Sequence, residues 1–324
     1  MLELAEPVRI ITKSHSLSIA GAALLLGVLH DADKRCSVRV VQHYTRAELN
    51  SLLHEEYPSF VLIDCVETDY REKLKNASFI SSREIYAAIS PEAKKYASIL
   101  LAGYYAEHIE LGNKLDVPDC VLQDALQSGM FAVSEPLIEI TDSFIECLAF
   151  NGNGALKKLL DFATVINACA HTGKASCAIS ALLSDVHAQE EAIKIMTEYR
   201  HEVAHALEWC KKNEQYTENG VSIVHMKDYV AWYLTGSVAQ HLTKDHALSL
   251  ALAYAPDGWV RVSLRGRKKG AHLLKLLCKI FECVTGECGG DEHAAGGMFQ
   301  RKDEEKFLSA AKNVLEYALA EENV

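Results

Sequence analysis

The alternation of apolar runs and helical stretches over residues 8–64 constrains the fold more than any other feature. Runs rich in β-branched residues predict strands at Val8 to Ile11, Ser37 to Gln42 and Phe60 to Ile63. Between them, the pattern predicts a buried helix at Ile19 to Leu29 and an amphipathic helix at Arg46 to Glu55. Strands and helices that alternate with short connections predict a parallel sheet with right-handed crossovers.

The carboxyl ends of these strands are the expected ligand site. The polar stretch Lys13 to Ser18 follows the first strand as a predicted loop, and Ser18 is the expected N-cap of the first helix. Asp64 follows the third strand. Because ligands bind at the carboxyl ends of the strands in such sheets, we expect this loop and Asp64 to lie close together.

The middle of the chain is predicted to be mainly helical, after a fourth short strand at Ala77 to Ile80. The predicted helices are Pro91 to Leu111, Cys120 to Gln127, Pro136 to Phe150, Leu156 to Ala170 and Ala175 to Leu183. Ser184 and Asp185 offer an N-cap for a longer helix that runs through Asn213. A break at 151–154 then suggests three domains: 1–155, a helical connector at 156–213, and 214–324.

The C-terminal part predicts a second, smaller α/β domain. Strand-like runs occupy Val221 to His225, Leu248 to Ala255 and Trp259 to Leu264, after a polar loop at Glu214 to Gly220. Asp257 and Gly258 lie between two of these runs and predict a hairpin turn. Two helices complete the domain, one from Gly270 through Val284 and one from Asp303 to Glu322.

A glycine-rich stretch from Cys288 to Gly297 surrounds Asp291, Glu292 and His293 with small residues. Glycine permits positive φ and lets another molecule approach the backbone closely. We interpret the stretch as a tight loop that could hold an anion through backbone N–H groups, or as a simple turn between elements.

A local excess of positive charge precedes that stretch. The segment from Arg261 to Lys275 contains six basic residues and no acidic ones, in a chain of net charge −11. The overall charge argues against a protein that coats nucleic acid, so any such contact requires a local patch. The segment is either a solvated turn or a phosphate-binding ridge, with Ser263 and Arg265 on one strand face.

The ten cysteines are typical of small buried residues in a reducing compartment. The acidic N-terminus does not resemble a secretory signal, and the longest apolar run is too short for a bilayer. We therefore expect a cytoplasmic protein with no membrane contact. Cys278, Cys283 and Cys288 are evenly spaced and precede His293, which leaves a zinc site open as an alternative.

Several motifs match one family. The C-terminal part resembles the DHH-associated domain of the DHH phosphoesterase superfamily, whose members carry a Ser-x-Arg strand and a Gly-Gly-His-x-x-Ala-Ala-Gly loop. The corresponding stretches here are Ser263-Leu264-Arg265 and Gly289-Gly290-Asp291-Glu292-His293-Ala294-Ala295-Gly296, with Asp291 in place of the motif histidine. Asn167-Ala168-Cys169-Ala170-His171 and Thr235-Gly236-Ser237 are similar to stretches of archaeal RecJ-like proteins.

This resemblance implies a phosphoesterase fold whose chemistry is lost. The family binds two divalent metals through an Asp-x-Asp loop, an Asp after strand three, an Asp-His-His triplet and a later Asp. Here the first loop matches as Ser16-Leu17-Ser18, and no Asp-His-His triplet occurs in the sequence. Asp64 remains as a weak metal candidate, or as a strand-end carboxylate that caps a turn. Since two metals require several carboxylates, we expect no metal cofactor.

The resemblance then suggests a catalytically inactive scaffold, similar to the archaeal counterpart of the cell-division-cycle subunit of the replicative helicase. Such a protein would be chromosome-associated and bind the GINS complex, the MCM helicase and possibly single-stranded DNA. The expected nucleic-acid contacts are Ser263, Arg265, Arg267, Gly289, Gly290 and His293.

Two alternatives stay open at this stage. One is an active manganese- or magnesium-dependent single-strand exonuclease or oligonucleotide phosphoesterase, with a rearranged site at His15, Asp31, Asp33 and Asp64. The other is an RNA-binding module, because alanyl-tRNA synthetases carry a similar C-terminal domain.

Overall fold

The chain forms two compact units, residues 1–197 and residues 198–324. The computed structural model describes residues 4–41, 46–65, 70–89, 92–111, 117–127, 131–132, 149–150, 156, 158–213, 216–267, 272–290 and 292–321. None of the helices in these ranges combines the length and the apolar character that crossing a bilayer requires.

The first unit is built on a four-stranded parallel sheet. Its strands are β1 (Val8–Lys13), β2 (Cys36–Val41), β3 (Ser59–Ile63) and β4 (Ala77–Ile80), in the order β2-β1-β3-β4. Every residue of β3 is buried, which explains its unbroken apolar sequence, because a central parallel strand is covered on both faces. The predicted parallel α/β sheet is confirmed.

Helix α1 (Ser16–Asp31) begins earlier than the sequence predicted. The predicted start at Ile19, with Ser18 as N-cap, is wrong. The N-cap is His15, whose carbonyl oxygen accepts a hydrogen bond from the Ile19 N–H at 2.8 Å. Ser16 and Ser18, which the sequence placed in a loop, belong to the first turn of α1 instead. Both are buried.

Among the described residues up to Gln127, four further helices follow α1. They are α2 (Arg46–Leu52), α3 (Ile85–Ile89), α4 (Ala97–Leu111) and α5 (Asp119–Gln127), with a 3₁₀ turn at Glu92–Tyr96 before α4. Helix α4 packs against α1, and the contact is close because Gly103 of α4 faces Ala20 of α1.

The helix predicted from Pro136 to Phe150 does not extend to its predicted end. Residues 136–148 lie outside the described residues, as does the predicted break at 151–154. Ala149–Phe150 form strand β6, which pairs antiparallel with β5 (Phe131–Ala132). Pairing with β5 takes these two residues out of any helix.

Three helices follow in the described residues 158–213: α6 (Leu159–His171), α7 (Ala175–Leu182) and α8 (Val186–Lys212). The three predicted helices are present, but α6 begins at Leu159 rather than at the predicted Leu156. Asp185 caps α8 as expected, because its Oδ1 accepts a hydrogen bond from the Ala188 N–H at 3.0 Å. The boundary between the two units falls within α8.

The second unit is built on a six-stranded sheet. Its strands are β7 (Tyr216–Glu218), β8 (Val221–His225), β9 (Leu248–Tyr254), β10 (Trp259–Gly266), β11 (Gly286–Gly290) and β12 (Ala294–Gln300), in the order β11-β12-β10-β9-β8-β7. Its helices are α9 (Thr235–Leu242), α10 (Leu273–Phe281) and α11 (Glu304–Glu321). On one face, α10 and α11 enclose a core in which the rings of Phe299 and Phe307 stack at 4.2 Å.

The hairpin predicted at Asp257 and Gly258 is confirmed. Strands β9 and β10 pair antiparallel around it, and Gly258 has a φ of +83°, a value that favours glycine. Two other predictions for this unit need correction. The predicted loop at Glu214 to Gly220 contains the edge strand β7, and helix α10 ends at Phe281 rather than at Val284.

The glycine-rich stretch from Cys288 to Gly297 is not one tight loop, as the sequence suggested. It forms the end of β11, a bend at Glu292 and His293, and the start of β12, whereas Asp291 lies outside the described residues. Strand β12 pairs with β10 on one side and β11 on the other. Backbone pairing on both sides therefore overrides the weak strand preference of glycine.

Gly103→Ala is expected to lower the free energy of unfolding by about 1–3 kcal/mol, because the added Cβ would overlap the Ala20 side chain and force α1 and α4 apart. Gly21→Ala is the matched control, since a Cβ there would lie 3.6 Å from the nearest atom of Ile85. It should be neutral or stabilise by up to about 1 kcal/mol, because alanine favours helix. Urea unfolding followed by circular dichroism compares them, and equal effects would contradict the close helix contact.

Candidate functional site

The carboxyl ends of β1 and β3 bring together residues that the sequence placed at a site. Ser16 and Ser18 lie in the first turn of α1, immediately after β1, and Asp64 directly follows β3. Asp64 has a φ of +58°, which an Asp tolerates better than most residues. Ser16 and Ser18 are almost completely buried, and Asp64 is half-buried.

Both carboxylate oxygens of Asp64 accept hydrogen bonds. The Ser18 hydroxyl donates to Oδ2 at 2.6 Å, and the Ser82 backbone N–H donates to Oδ1 at 2.8 Å. The Asp64 N–H in turn donates to the Ile80 carbonyl at 2.9 Å. This geometry is consistent with the interpretation of Asp64 as a strand-end carboxylate that caps a turn, because the Ser82 N–H belongs to the segment after β4.

The other serine of the pair contacts helix α6. The Ser16 hydroxyl donates to Asn167 Oδ1, and the Asn167 amide donates to the Ala106 carbonyl at 2.9 Å. Thr12, at the end of β1, donates its hydroxyl hydrogen to the Ser18 carbonyl at 2.9 Å. We call Thr12, Ser16, Ser18, Asp64, Ser82 and Asn167 the polar network.

Sequence reasoning missed Thr12 and Ser82 as members of this network, and it noted Asn167 only as part of a motif. Asn167 does leave a local signal, because it is a buried amide within an otherwise apolar helical run. A buried amide needs hydrogen-bond partners, so such a residue marks a polar contact within a core. Ser82 leaves no signal, since it acts through its backbone N–H.

The polar network does not fit a two-metal centre. It contains one carboxylate, whose oxygens are already engaged, and the neighbouring hydroxyls and amide are neutral. Two divalent cations would require several anionic ligands to offset their charge. In the described ranges, no three or more His, Cys, Asp or Glu side chains are grouped so that they could hold a metal ion.

The rearranged ligand set is also not brought together. His15 precedes α1, whereas Asp31 is its last residue, and a helix of 16 residues is about 24 Å long. Asp31 instead pairs with Lys95 and accepts a hydrogen bond from the Tyr96 hydroxyl at 2.8 Å. The hydrogen bond from Lys95 lowers the pKa of Asp31. Asp33 follows at the same end of the helix, away from Asp64.

In the second unit, the residues expected to contact nucleic acid lie on neighbouring strands. Ser263 of β10, Gly296 of β12 and Gly289 of β11 occupy one row across the sheet. Arg265 stands opposite Ala294, two residues further along the strand. His293 precedes that residue in the turn, where its side chain is 50% exposed and its Nε2 lies 3.3 Å from Glu292 Oε1.

Ser263 and Arg265 share a strand face, as predicted, but both are buried. Arg265 is 8% exposed, and its Nη1 donates to the carbonyls of Leu264 and Ala295 at 3.1 and 3.2 Å. The Ser263 hydroxyl lies 3.0 Å from that of Thr235, the first residue of α9. Helix α9 therefore covers this face of the sheet, and Arg265 is held against backbone carbonyls.

The basic segment does not form one continuous ridge among its described members. Arg261 binds Asp257 at 2.8 Å and lies over the ring of Trp232. Arg267 is exposed, and its Nη1 donates to the Lys244 carbonyl at 2.9 Å. Lys268 and Lys269 lie outside the described residues.

Gly289 and Gly290, the last two residues of β11, differ in what they require. A Cβ at Gly289 would meet nothing within 4 Å, so the backbone there is open to approach by another molecule. Gly290 has a φ of +133°, and a Cβ there would overlap the Ala294 carbonyl oxygen. Gly290 is thus required by the turn, whereas Gly289 is free of that constraint.

The cysteine trio does not assemble with His293 into a metal site. Cys278 and Cys288 are in contact, with their sulfur atoms 3.4 Å apart. Cys283 instead donates to the carbonyls of Ile280 and Lys306. The first and third cysteines of the trio, ten residues apart, are therefore the two whose thiols come together.

Comparison with known proteins identifies the fold. No protein-family model and no curated protein matches the sequence. RecJ from Thermus thermophilus in complex with Mn²⁺ is 13% identical, with a TM-score of 0.70 over 97% of this chain and 52% of that one. An exonuclease RecJ bound to manganese is 14% identical, with a TM-score of 0.65 over 97% of this chain and 90% of that one. CDC45 from Entamoeba histolytica is 8% identical, with a TM-score of 0.60 over 95% of each chain.

These likenesses show that the chain has a RecJ-like, DHH-type fold, as its motifs predicted. The chain spans about half the length of the Thermus RecJ chain.

Asp64→Ala is expected to lower the free energy of unfolding by about 2–4 kcal/mol, because it leaves the Ser18 hydroxyl and the Ser82 N–H without their acceptor. Asp33→Ala is the matched control. Asp33 has a similar φ of +57° but is exposed, so the variant reports the backbone cost alone, about 1 kcal/mol. Urea unfolding measures both, and an equal loss would show that the hydrogen bonds to Asp64 contribute nothing to stability.

Proposed function

We propose that this chain, which has the fold of RecJ-like DHH proteins, is a catalytically inactive scaffold of the DNA replication machinery. The observation that carries the proposal is the polar network at the carboxyl ends of β1 and β3. Ser16 and Ser18 stand where the resembling family has two aspartates, and these neutral side chains donate hydrogen bonds to Asn167 and Asp64. Asp64 is the one carboxylate of the network, and its partners already engage both oxygens.

The chemistry of phosphodiester hydrolysis supports the same conclusion. A two-metal mechanism stabilises the attacking and the leaving oxygen with cations held at fixed positions. Solved RecJ structures carry manganese or magnesium. In this chain, Ser18 and Ser82 already donate to the two Asp64 oxygens, so a cation would have to share that single carboxylate with both donors.

The likeness to CDC45 supports a role in a replication complex, because CDC45 from Entamoeba histolytica shares this fold over 95% of each chain. The resemblance to archaeal RecJ-like proteins supports the GINS complex and the MCM helicase as partners. In this proposal the chain contributes surfaces and rigidity rather than hydrolysis.

A weak contact with single-stranded DNA fits the geometry of the second unit. Arg265 is buried against backbone carbonyls and contributes mainly to the fold. Arg267 and the half-exposed His293 remain accessible, and the backbone at Gly289 is open. Among the described residues of the expected contact set, few cations are accessible, which implies few phosphate contacts there and hence modest affinity.

The function is tested by mixing the purified full chain with GINS and MCM from the same source and separating the mixture by gel filtration. We expect a stoichiometric complex with GINS that forms equally well with Asp64→Asn, because the polar network lies inside the unit. The same protein should release no nucleotides from single-stranded DNA, RNA or short oligonucleotides with Mn²⁺ or Mg²⁺.

Two outcomes would overturn the proposal. The first is the absence of any GINS complex with a chain whose circular dichroism and unfolding transition are native. The second is manganese-dependent hydrolysis that is lost in Asp64→Asn, which would assign the chain to the active exonucleases.

Arg267→Ala should weaken binding to single-stranded DNA and reduce the slope of log K against log salt concentration by about one, because one phosphate contact is lost. Arg261→Ala is the control, since the Arg261 side chain already binds Asp257 and lies over the ring of Trp232. The slope for this variant should equal that of the unmodified chain. Fluorescence anisotropy over a range of salt concentrations measures the slopes. An unchanged slope for Arg267→Ala would reject a phosphate contact at this residue.

A further inference from the structure

Two cysteines of the second unit lie in contact on its surface. Cys278 is on the exposed side of α10, and Cys288 is in the middle of the edge strand β11. Their sulfur atoms are 3.4 Å apart. Helix α10 packs directly against β11. The packing of these two elements therefore keeps the two thiols close to each other.

This geometry is close to that of a disulfide. The sulfur atoms of a disulfide are about 2.05 Å apart, so they need to approach by roughly 1.4 Å, which small rotations of two side chains can supply. The bond would close a ring between residues 278 and 288 and tie the helix to the strand.

The two thiols differ in their surroundings. Cys278 is exposed and within reach of a small reagent. Burial, followed by the hydrogen bond with Cys278, raises the pKa of Cys288 to about 12. Cys288 therefore keeps its proton at neutral pH, and Cys278 is the thiol that an oxidant meets first.

We propose that Cys278 and Cys288 form a reversible thiol–disulfide site that reacts with small-molecule disulfides such as oxidised glutathione. The Cys278 thiolate attacks one sulfur of the reagent, a mixed disulfide forms, and one glutathione thiolate leaves. Cys288 then gives up its proton and attacks the Cys278 sulfur, which releases the second glutathione thiolate. The two thiolates take up protons from solvent and from Cys288. Overall, two protein thiols are oxidised and one small disulfide is reduced to two thiols.

The bond would act on the part of the sheet that carries the open glycine. Strand β11 lies at the edge of the sheet, and β12 is its one partner among the described strands. A link from Cys288 to α10 fixes this edge from its other side, together with Gly289, Gly290 and the turn that contains His293. Any dependence of DNA binding on this link rests on the proposed function, whereas formation of the bond does not.

The remaining cysteines provide internal comparisons. Cys283 belongs to the same segment but contacts the carbonyls of Ile280 and Lys306. Cys169 interacts with Cys177 in the first unit, yet Cys169 is fully buried, and burial raises its pKa to about 12. That second pair should react more slowly than the exposed one.

The full chain is incubated with oxidised glutathione without denaturant, the free thiols are blocked with iodoacetamide, and the protein is digested with trypsin. We expect the peptide Leu276–Lys279 to be joined to the peptide Ile280–Arg301 by a disulfide that dithiothreitol removes. Cys283→Ser should retain this linked pair, whereas Cys278→Ser and Cys288→Ser should lose it. Amide hydrogen exchange in β11 should slow in the oxidised protein.

Three results would overturn the inference. They are a wild-type digest without the linked pair, a linked pair that persists in Cys288→Ser, or a link that forms only in urea. Since Cys283 and Cys288 share one tryptic peptide, the Cys283→Ser and Cys288→Ser digests together decide which of them bonds to Cys278.

Discussion

The hydrogen bond from Ser18 to Asp64, 2.6 Å long, is the interaction on which the first unit's site depends. A half-buried carboxylate is costly unless its charge is met by donors. Here the Ser18 hydroxyl and the Ser82 N–H meet it, and they join the first turn of α1 to the segments after β3 and β4. Within the polar network, neutral groups thus surround a single negative charge at the carboxyl edge of the sheet. Two divalent cations would bring four positive charges to that place, which one carboxylate does not offset.

The second unit also holds a buried charged side chain with hydrogen bonds, but this charge is positive. Arg265 brings a cation inside the sheet's covered face, where the carbonyls of Leu264 and Ala295 accept its hydrogen bonds. The guanidinium therefore stabilises the junction of β10 and β12 and contributes little to the surface potential. The sequence motif that contains Ser263 and Arg265 suggested a contact with nucleic acid. The hydrogen bonds of Arg265 are instead consistent with a structural role. Arg267, which follows the last residue of β10, is exposed and carries an accessible positive charge.

The sequence predicted those elements that neighbouring residues determine. Strand β3 and the turn at Asp257 and Gly258 could be predicted, because burial on both faces selects apolar residues and positive φ selects glycine. The first turn of α1 was not, because serine favours caps and loops, whereas a contact with Asp64 fixes Ser18 in the helix. The partner of Ser16 was equally hidden, since Asn167 lies 151 residues away along the chain. Pairing between distant strands likewise turned a glycine-rich loop into the ends of β11 and β12.

The central claim is that the polar network replaces a metal centre, and a crystal of the full chain soaked in Mn²⁺ tests it most directly. Manganese scatters anomalously, so each bound ion is located without reference to the protein's geometry. We predict no anomalous peak beside Asp64, and hydrogen bonds from Ser18 and Ser82 that remain in place. A peak within about 2.3 Å of an Asp64 oxygen, with Ser18 turned away, would contradict the account.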